Sequence, residues 1–330
     1  MSLQDNFNYH SKKYIFSDNE FLLKEREKIF NKINSNNFEK RNNESLKNIN
    51  FADLNSFKYF FQPSTSKPSV NMLEKNVYEI NIINGVCSNH EDENIEIRNI
   101  MLEDYEQNTD NISKDSNDII LDYNTIFLNS GIFLKVKTGS KIKVKLFHKI
   151  QKNYTVFQHN FFSFQKNCEV SIEDNFKLTE NTTNNIQSNI DLKEGSNIHH
   201  NIFQNFSSSN KLFFTSNTNC EKNSTYFQNS FNFADGFVRN FHYANLNGEF
   251  SKAALKGCFF LKDNNACTNK TYITHKAENC ESDQTYKGIL NNSARANYYS
   301  NTFVSENAQK TEGYQLSKGI LLSDDCPFFF

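Results

Sequence analysis

The side chains that could do metal, nucleophile or acid–base chemistry are scattered along this sequence. His199 and His200 are adjacent, and adjacent residues on a strand point to opposite faces, so the two cannot easily serve one metal. Surface and core packing are the expected roles for this pair. Cys87 and His90 have a C-x-x-H spacing within the acidic stretch SNHEDENIE, but one such pair falls short of the four ligands of a zinc site. Cys258, Cys267 and Cys280 are too far apart for a zinc knuckle. Stacked coils of suitable length would bring them together to carry sulfur or iron; buried apart, they would act as small hydrophobes. Carboxylates occur as the isolated pairs Glu173–Asp174 and Asp324–Asp325 rather than as a dense cluster. The run Glu91–Glu96 reads as a solvated loop, and the lysines between 135 and 145 as a wet strand face with the capacity to meet an acidic partner. No phosphate-binding loop, dinucleotide fingerprint, zinc-protease helix or nucleophile elbow occurs in a supporting context.

The chain has 330 residues, with 36 Lys+Arg against 38 Asp+Glu and a net charge of −2. That balance argues against a nucleic-acid binder or a polybasic membrane anchor. No apolar run approaches the ~20 residues of a membrane-spanning helix, and the start, MSLQDNFNYHSKKYIF, lacks the apolar core of a secretory signal. Seven cysteines, an odd number, fit free thiols in a reducing, cytoplasmic setting. The 53 Asn and 33 Phe, beside 5 Arg and 3 Pro, have the stamp of an AT-biased coding sequence, which weakens Asn as a turn signal. A hydrophobic fraction of 37% with interleaved Phe favours a folded chain over an Asn-rich disordered one.

Two kinds of element must position these groups. Phe21, Leu22, Ile29, Phe30 and Ile33 share one face of a helix over residues 19–34, with Asp18 as its expected N-cap. A second short helix is expected from Asn43 to about Asn50, followed by a connection containing Pro63 and Pro68. From about residue 76 the period changes to two. In KIKVKLF, Ile142, Val144 and Leu146 fall on one face and Lys141, Lys143 and Lys145 on the other. Short strand-like runs then recur to about residue 321, and no convincing helix of ten residues occurs between 120 and 320. A sandwich or barrel is one solution; a parallel β-helix is the other. The scarcity of tight hairpin turns favours the β-helix, with Asn84-Gly85, Asp235-Gly236 and Asn247-Gly248 the few candidates. Asn side chains stacked at coil corners would add ladders of hydrogen bonds.

The stretch AQKTEGYQLSKGILLSD, Ala308 to Asp324, resembles a segment of the SufB/SufD family of iron–sulfur cluster assembly proteins, with Ala308, Gln309, Thr311, Gln315, Leu321, Leu322, Ser323 and Asp324 matched. Upstream, Gly131, Val136 and Gly139 match the family's approach to its β-helix, although Lys137 and Lys145 stand where Pro is usual. Arg239, Asn240, Leu246, Gly248 and Gly257 match a further segment, as do His275, Ser282, Gln284, Tyr286, Lys287, Gly288, Leu290, Ala294 and Arg295. The helix LKEREKIFNKI is similar to an N-terminal helix of SufD, and no Cys-Ser-Ala-Pro segment of the SufB type is found. The resemblance covers most of residues 20–324 and points to SufD.

The resemblance implies a mainly β chain: a right-handed parallel β-helix preceded by a small N-terminal helical segment. The expected divisions are a helical segment and connection over 1–75, the β-helix core over 76–324 and an atypical tail over 325–330. It implies a non-catalytic subunit that pairs with a SufB-like subunit and a SufC-like ATPase, in a complex that builds an iron–sulfur cluster; no cofactor is assigned to this chain itself. Gln309, Thr311, Gln315, His275, Arg239 and Gly248 are the motif residues carried over. The family's Cys/His segment and SufC-binding helices have no counterpart after LLSDDCPFFF. A truncated or frameshifted end, loss of the SufC contact and self-association through an uncapped coil are therefore expected. The competing readings are a β-helix enzyme acting on polysaccharides, which lacks its expected secretion signal and carboxylate groove, and a non-functional fragment. Either bacterial cytoplasm or a plastid fits the family.

Overall fold

A computed structural model of the chain describes residues 7, 15–16, 19–35, 66–108, 118–179, 181–206 and 210–329. Two sheets, parallel except among their first strands, stack coil on coil into a β-solenoid of about seven turns. The first sheet contains β1 (Ser69–Glu74), β2 (Val77–Ile83), β6 (Lys141–Ile150), β8 (Glu169–Leu178), β10 (Asn197–Gln204), β12 (Thr225–Asn232), β14 (Lys252–Leu261), β16 (Glu281–Leu290) and β18 (Glu312–Leu321), in that spatial order. The second contains β3 (His90–Glu91), β4 (Ile95–Asn99), β5 (Ile132–Val136), β7 (Thr155–Phe164), β9 (Thr183–Leu192), β11 (Asn210–Cys220), β13 (Gly236–Leu246), β15 (Ala266–His275), β17 (Arg295–Val304) and β19 (Phe328–Phe329). Because side chains alternate along a strand, every second residue enters the lumen. Ile142, Val170 and Ile198 stack there in register, as do Val144 and Ile172.

The coil repeat is set at the corners. Gly139, Asn167, Gly195, Asn223, Phe250, Asn279 and Lys310 all adopt positive φ, mostly about one coil of 28 residues apart. Only Gly and, among the others, Asn enter this region at low cost. The next residue in each case turns a small side chain inward, giving the column Ser140, Cys168, Ser196, Ser224, Ser251, Cys280 and Thr311. Each of these carbonyls up to Cys280 accepts from the amide that starts the next coil's strand, as in Asn197 N–H to Cys168 O at 2.8 Å. A second corner uses Asn153, Asn181, Asp263 and Asn292 in the same way. Asn ladders form on the strands, where Asn229 donates to Asn201 at 2.9 Å and Asn245 to Asn217 at 3.0 Å, and Asn also links coils at the second corner, where Asn292 donates to Asp263 at 2.7 Å. Asn84 and Gly85 both have positive φ and make a tight turn closed by Ile83 and Val86.

Among the described residues, three helices accompany the solenoid: α1 (Glu20–Ser35), α2 (Leu102–Asn108) and α3 (Ile119–Phe127). The cap of α1 is Asn19, whose Oδ1 accepts from Leu22 N–H at 2.8 Å; Asp18, the expected cap, lies outside the described residues, as do Pro63 and the helix expected at 43–50. Leu22, Phe30 and Ile33 are buried as the spacing required. The period of two read from residue 76 left out the short helices α2 and α3, although Ile119, Ile120, Tyr123, Ile126 and Phe127 fall on one helical face, all buried. Phe30, Ile33 and this face close over Phe157 and Phe213 on the outer side of the second sheet.

Strand structure begins at Ser69, within the segment assigned to residues 1–75. The acidic run is solvated at Glu91 and Glu93 but is ordered. It forms the β3–β4 hairpin, where Asp92 Oδ1 accepts from Asn94 and Ile95 N–H and Tyr78 Oη donates to Asp92 Oδ2 at 2.7 Å. Nor is the tail wholly exposed. Cys326 is buried, and Phe328 packs edge-on against Phe259 in space that Gly319, lacking a side chain, leaves open.

Candidate functional site in the solenoid lumen

The motif residues do not form one site. Arg239 lies on the outer face of β13, fully buried, in an ion pair with Asp118, the N-cap of α3. Its guanidinium sits 3.4 Å from the centre of the Phe241 ring. Gly248 stands at a corner where a Cβ would run into the Lys222 backbone. Gln309 and Thr311 belong to the corner of the last coil; Gln309 Nε2 donates to Glu306 O at 2.7 Å, and Gln309 O accepts from Asn279 N–H at 3.0 Å. His275 is buried at the end of β15, with Nε2 2.8 Å from Ser282 Oγ, and burial lowers its pKa. Gln315 continues the lumen column of Gln284, and both amides donate to Thr302 Oγ1 at 2.8 Å. His275, Gln284, Gln315 and Thr302 thus gather at the last coils, while Arg239 is remote on the outer wall.

The cysteines are dispersed as well. Cys258 is half-buried on the outer face of β14, Cys267 lies in one core cluster, and Cys280 lies in another with Cys168 and Cys220. Burial pushes the Cys87, Cys220 and Cys267 thiols up to about 12 and the Cys168 thiol to about 11. They are therefore thiols rather than thiolates at neutral pH, poor nucleophiles and poor metal ligands as they stand. Cys87 N–H donates to Asn99 Oδ1 and His90 Nε2 lies 3.2 Å from Asp92 Oδ2, so each member of the C-x-x-H pair has its own partner. Among the described residues, no group of three His, Cys, Asp or Glu side chains is arranged to hold a metal ion.

One constellation escaped the reading by motifs. His148, Asp174 and His200 enter the lumen from β6, β8 and β10, with side-chain exposures of 1%, 3% and 1%. His148 Nε2 is 2.8 Å from Asp174 Oδ1, and His200 Nε2 is 3.5 Å from Asp174 Oδ2. These contacts are close enough for ion pairing but off the line of a good hydrogen bond. The sequence showed Asp174 only as half of an isolated acidic pair, and His199 and His200 as a doublet. His199 turns outward, its ring 5.0 Å from that of Phe227, as strand alternation required. The overlooked signal is a diagonal that climbs one coil and steps back two residues. It runs from His148 to Asp174 to His200, and on to Tyr226, 26 residues after His200.

Residues 147–328 match the family model described as SUF system FeS cluster assembly, SufBD core domain. The match spans more than half of the chain and coincides with β-solenoid coils, so the protein belongs to the SufB/SufD family of iron–sulfur cluster assembly proteins. No curated protein matches the chain. The Gly131–Leu146 resemblance lies just before the matched region and the helix LKEREKIFNKI well before it, while the three remaining motif segments lie inside it.

Proposed function

We propose that this chain is a SufD-like, non-catalytic scaffold subunit that works with a SufB-like subunit and a SufC-like ATPase in the cytoplasm or a plastid. The nascent iron–sulfur cluster is then the cargo of the assembly rather than a resident group of this chain. The family match over residues 147–328 is the observation that carries the reading. The protonated, buried thiols support it, since they suit packing better than sulfur donation.

The test is co-expression of the tagged chain with the SufB-like and SufC-like proteins of the same genome. Recovery of the SufB-like subunit at a fixed stoichiometry is expected. A chain that never retains that subunit, yet loads a cluster by itself as judged by visible absorbance, would overturn the SufD-like reading in favour of a SufB-like one.

A further inference from the structure

The lumen cluster makes a specific demand on protons. Tyr226 Oη has one hydrogen, and the assignment that satisfies the neighbouring Gln228 amide directs it to Gln228 Oε1 at 3.1 Å. A carbonyl oxygen can only accept, so the Tyr226 oxygen is left to accept from His200 Nδ1, 3.0 Å away. Nδ1 of His200 therefore carries a proton. Its other nitrogen, Nε2, faces the Asp174 carboxylate. An unprotonated Nε2 would set a lone pair against that oxygen inside an apolar wall, where an unpaired charge is costly. With that assignment both nitrogens of His200 carry protons. His148 needs only one, on Nε2 toward Asp174, and its Nδ1 has no partner. Its ring stacks at 4.7 Å on Phe176, which fixes its plane.

We propose that His148, Asp174 and His200 form a buried proton-binding site in the solenoid lumen, in which His200 is held as an imidazolium, Asp174 as a carboxylate and His148 as the neutral Nε2–H form. The cluster is then neutral overall and ties three successive coils together by charge. Among the described residues, nothing around it supplies another charge. On β12, burial keeps Tyr226 protonated. Across the lumen, burial and the charge of His200 push His242 on β13 down to about 3, and burial pushes Cys220 on β11 up to about 12. The inward residues of β6, β7 and β9 include no ionisable group besides His148. Burial alone would raise the pKa of Asp174, but its close contacts with His148 and His200 outweigh it and hold the carboxyl below its ordinary range.

The full chain, labelled with 15N-histidine, tests this directly. Two-dimensional NMR through the ring nitrogens at pH 7 separates imidazolium from either neutral tautomer, and His148→Gln and His200→Gln assign the signals. The expected spectrum shows His200 protonated on both nitrogens and His148 on Nε2 alone. In Asp174→Asn, the His200 imidazolium signal should be lost at the same pH. A neutral His200 in the wild-type chain overturns the proposal, and needs no variant to fold beyond those used for assignment. An imidazolium signal that survives unchanged in a folded Asp174→Asn variant also overturns it.

Discussion

The outer walls of the two sheets differ in what covers them. On the first sheet, β6 and β8 alternate cleanly between buried inward and solvent-facing outward residues. On the second, β7 and β9 are buried at all but one position, because α1 and α3 lie over their outer face. A strand covered on both sides loses the alternation that a half-exposed strand shows. The difference also decides what polar side chains can do. On the first wall, lysines and glutamates of successive coils pair in water. On the second, Arg239, His159 and Asn185 are buried and must find partners within the protein. The same solenoid therefore carries weak, interchangeable polar contacts on one side and costly, specific ones on the other.

Asp118 is the sharpest point of that contrast. Its Oδ1 caps α3 by accepting from Ile120 N–H at 3.0 Å, and its Oδ2 pairs with the fully buried Arg239. Asp118→Ala leaves a guanidinium buried without its counter-charge. Removing one partner of such a pair costs about 3–5 kcal/mol, and losing the cap adds about 1 kcal/mol. Urea unfolding should show this as the largest loss among the variants considered. Adding Arg239→Met should recover most of it, since the orphaned charge is then gone. If Asp118→Ala is nearly neutral, α3 is not clamped to the second sheet through this pair.

The contrast also explains what could be seen in the sequence. The first wall was legible: KIKVKLF alternates in the chain as it does in the fold. The second was not, since TVFQHNFFSF has no period to find when both faces are buried. The lysines of β6 read correctly as outward, although Lys141 and Lys143 reach to Glu169 and Glu173 of the next coil rather than only into water. Asn was discounted because the composition is so rich in it. Yet Asn153, Asn167, Asn181, Asn223, Asn279 and Asn292 all occupy left-handed corners, and their spacing would have shown the coil length. The lumen triad stayed hidden because its members meet only through the stacking of coils, across a diagonal that no local motif records.

His159 offers a second way to sharpen the comparison, because it sits on an outer face yet behaves as a core group. Its ring is buried against Tyr105, edge-on at 5.6 Å, and Phe161. Burial pushes its pKa down to about 3, and the Asn189 side chain, as an acceptor for the ring, only partly opposes this. The folded chain thus resists protonation at a site that takes a proton near pH 6.5 when unfolded. A lowered histidine contributes its full stability above that value and loses it as pH falls from about 6.5 toward 3. Within that window the slope from one such group is about 1.4 kcal/mol per pH unit. His159→Gln should flatten the acid side of the stability profile measured by urea titration at successive pH values. An unchanged slope would mean that water reaches His159 and that the second wall is not sealed there.

The smallest effect belongs to the first wall. Lys252 Nζ lies 2.9 Å from Glu281 Oε1 on the next coil, with side-chain exposures of 45% and 51%. The contact repeats with other residues along the solenoid, at Lys141–Glu169, Lys166–Glu194 and Lys193–Glu221. The regularity invites a large role, but water screens each pair and each must order two long side chains. A double-mutant cycle on Lys252→Ala and Glu281→Ala should return a coupling of roughly 0.2–1 kcal/mol. It should fade in 1 M salt, where the screening length is about 3 Å. A coupling above about 2 kcal/mol, or one indifferent to salt, would match a pair withdrawn from water. That result would make the first wall a covered surface like the second, and would remove the asymmetry on which the contrast between the two sheets depends.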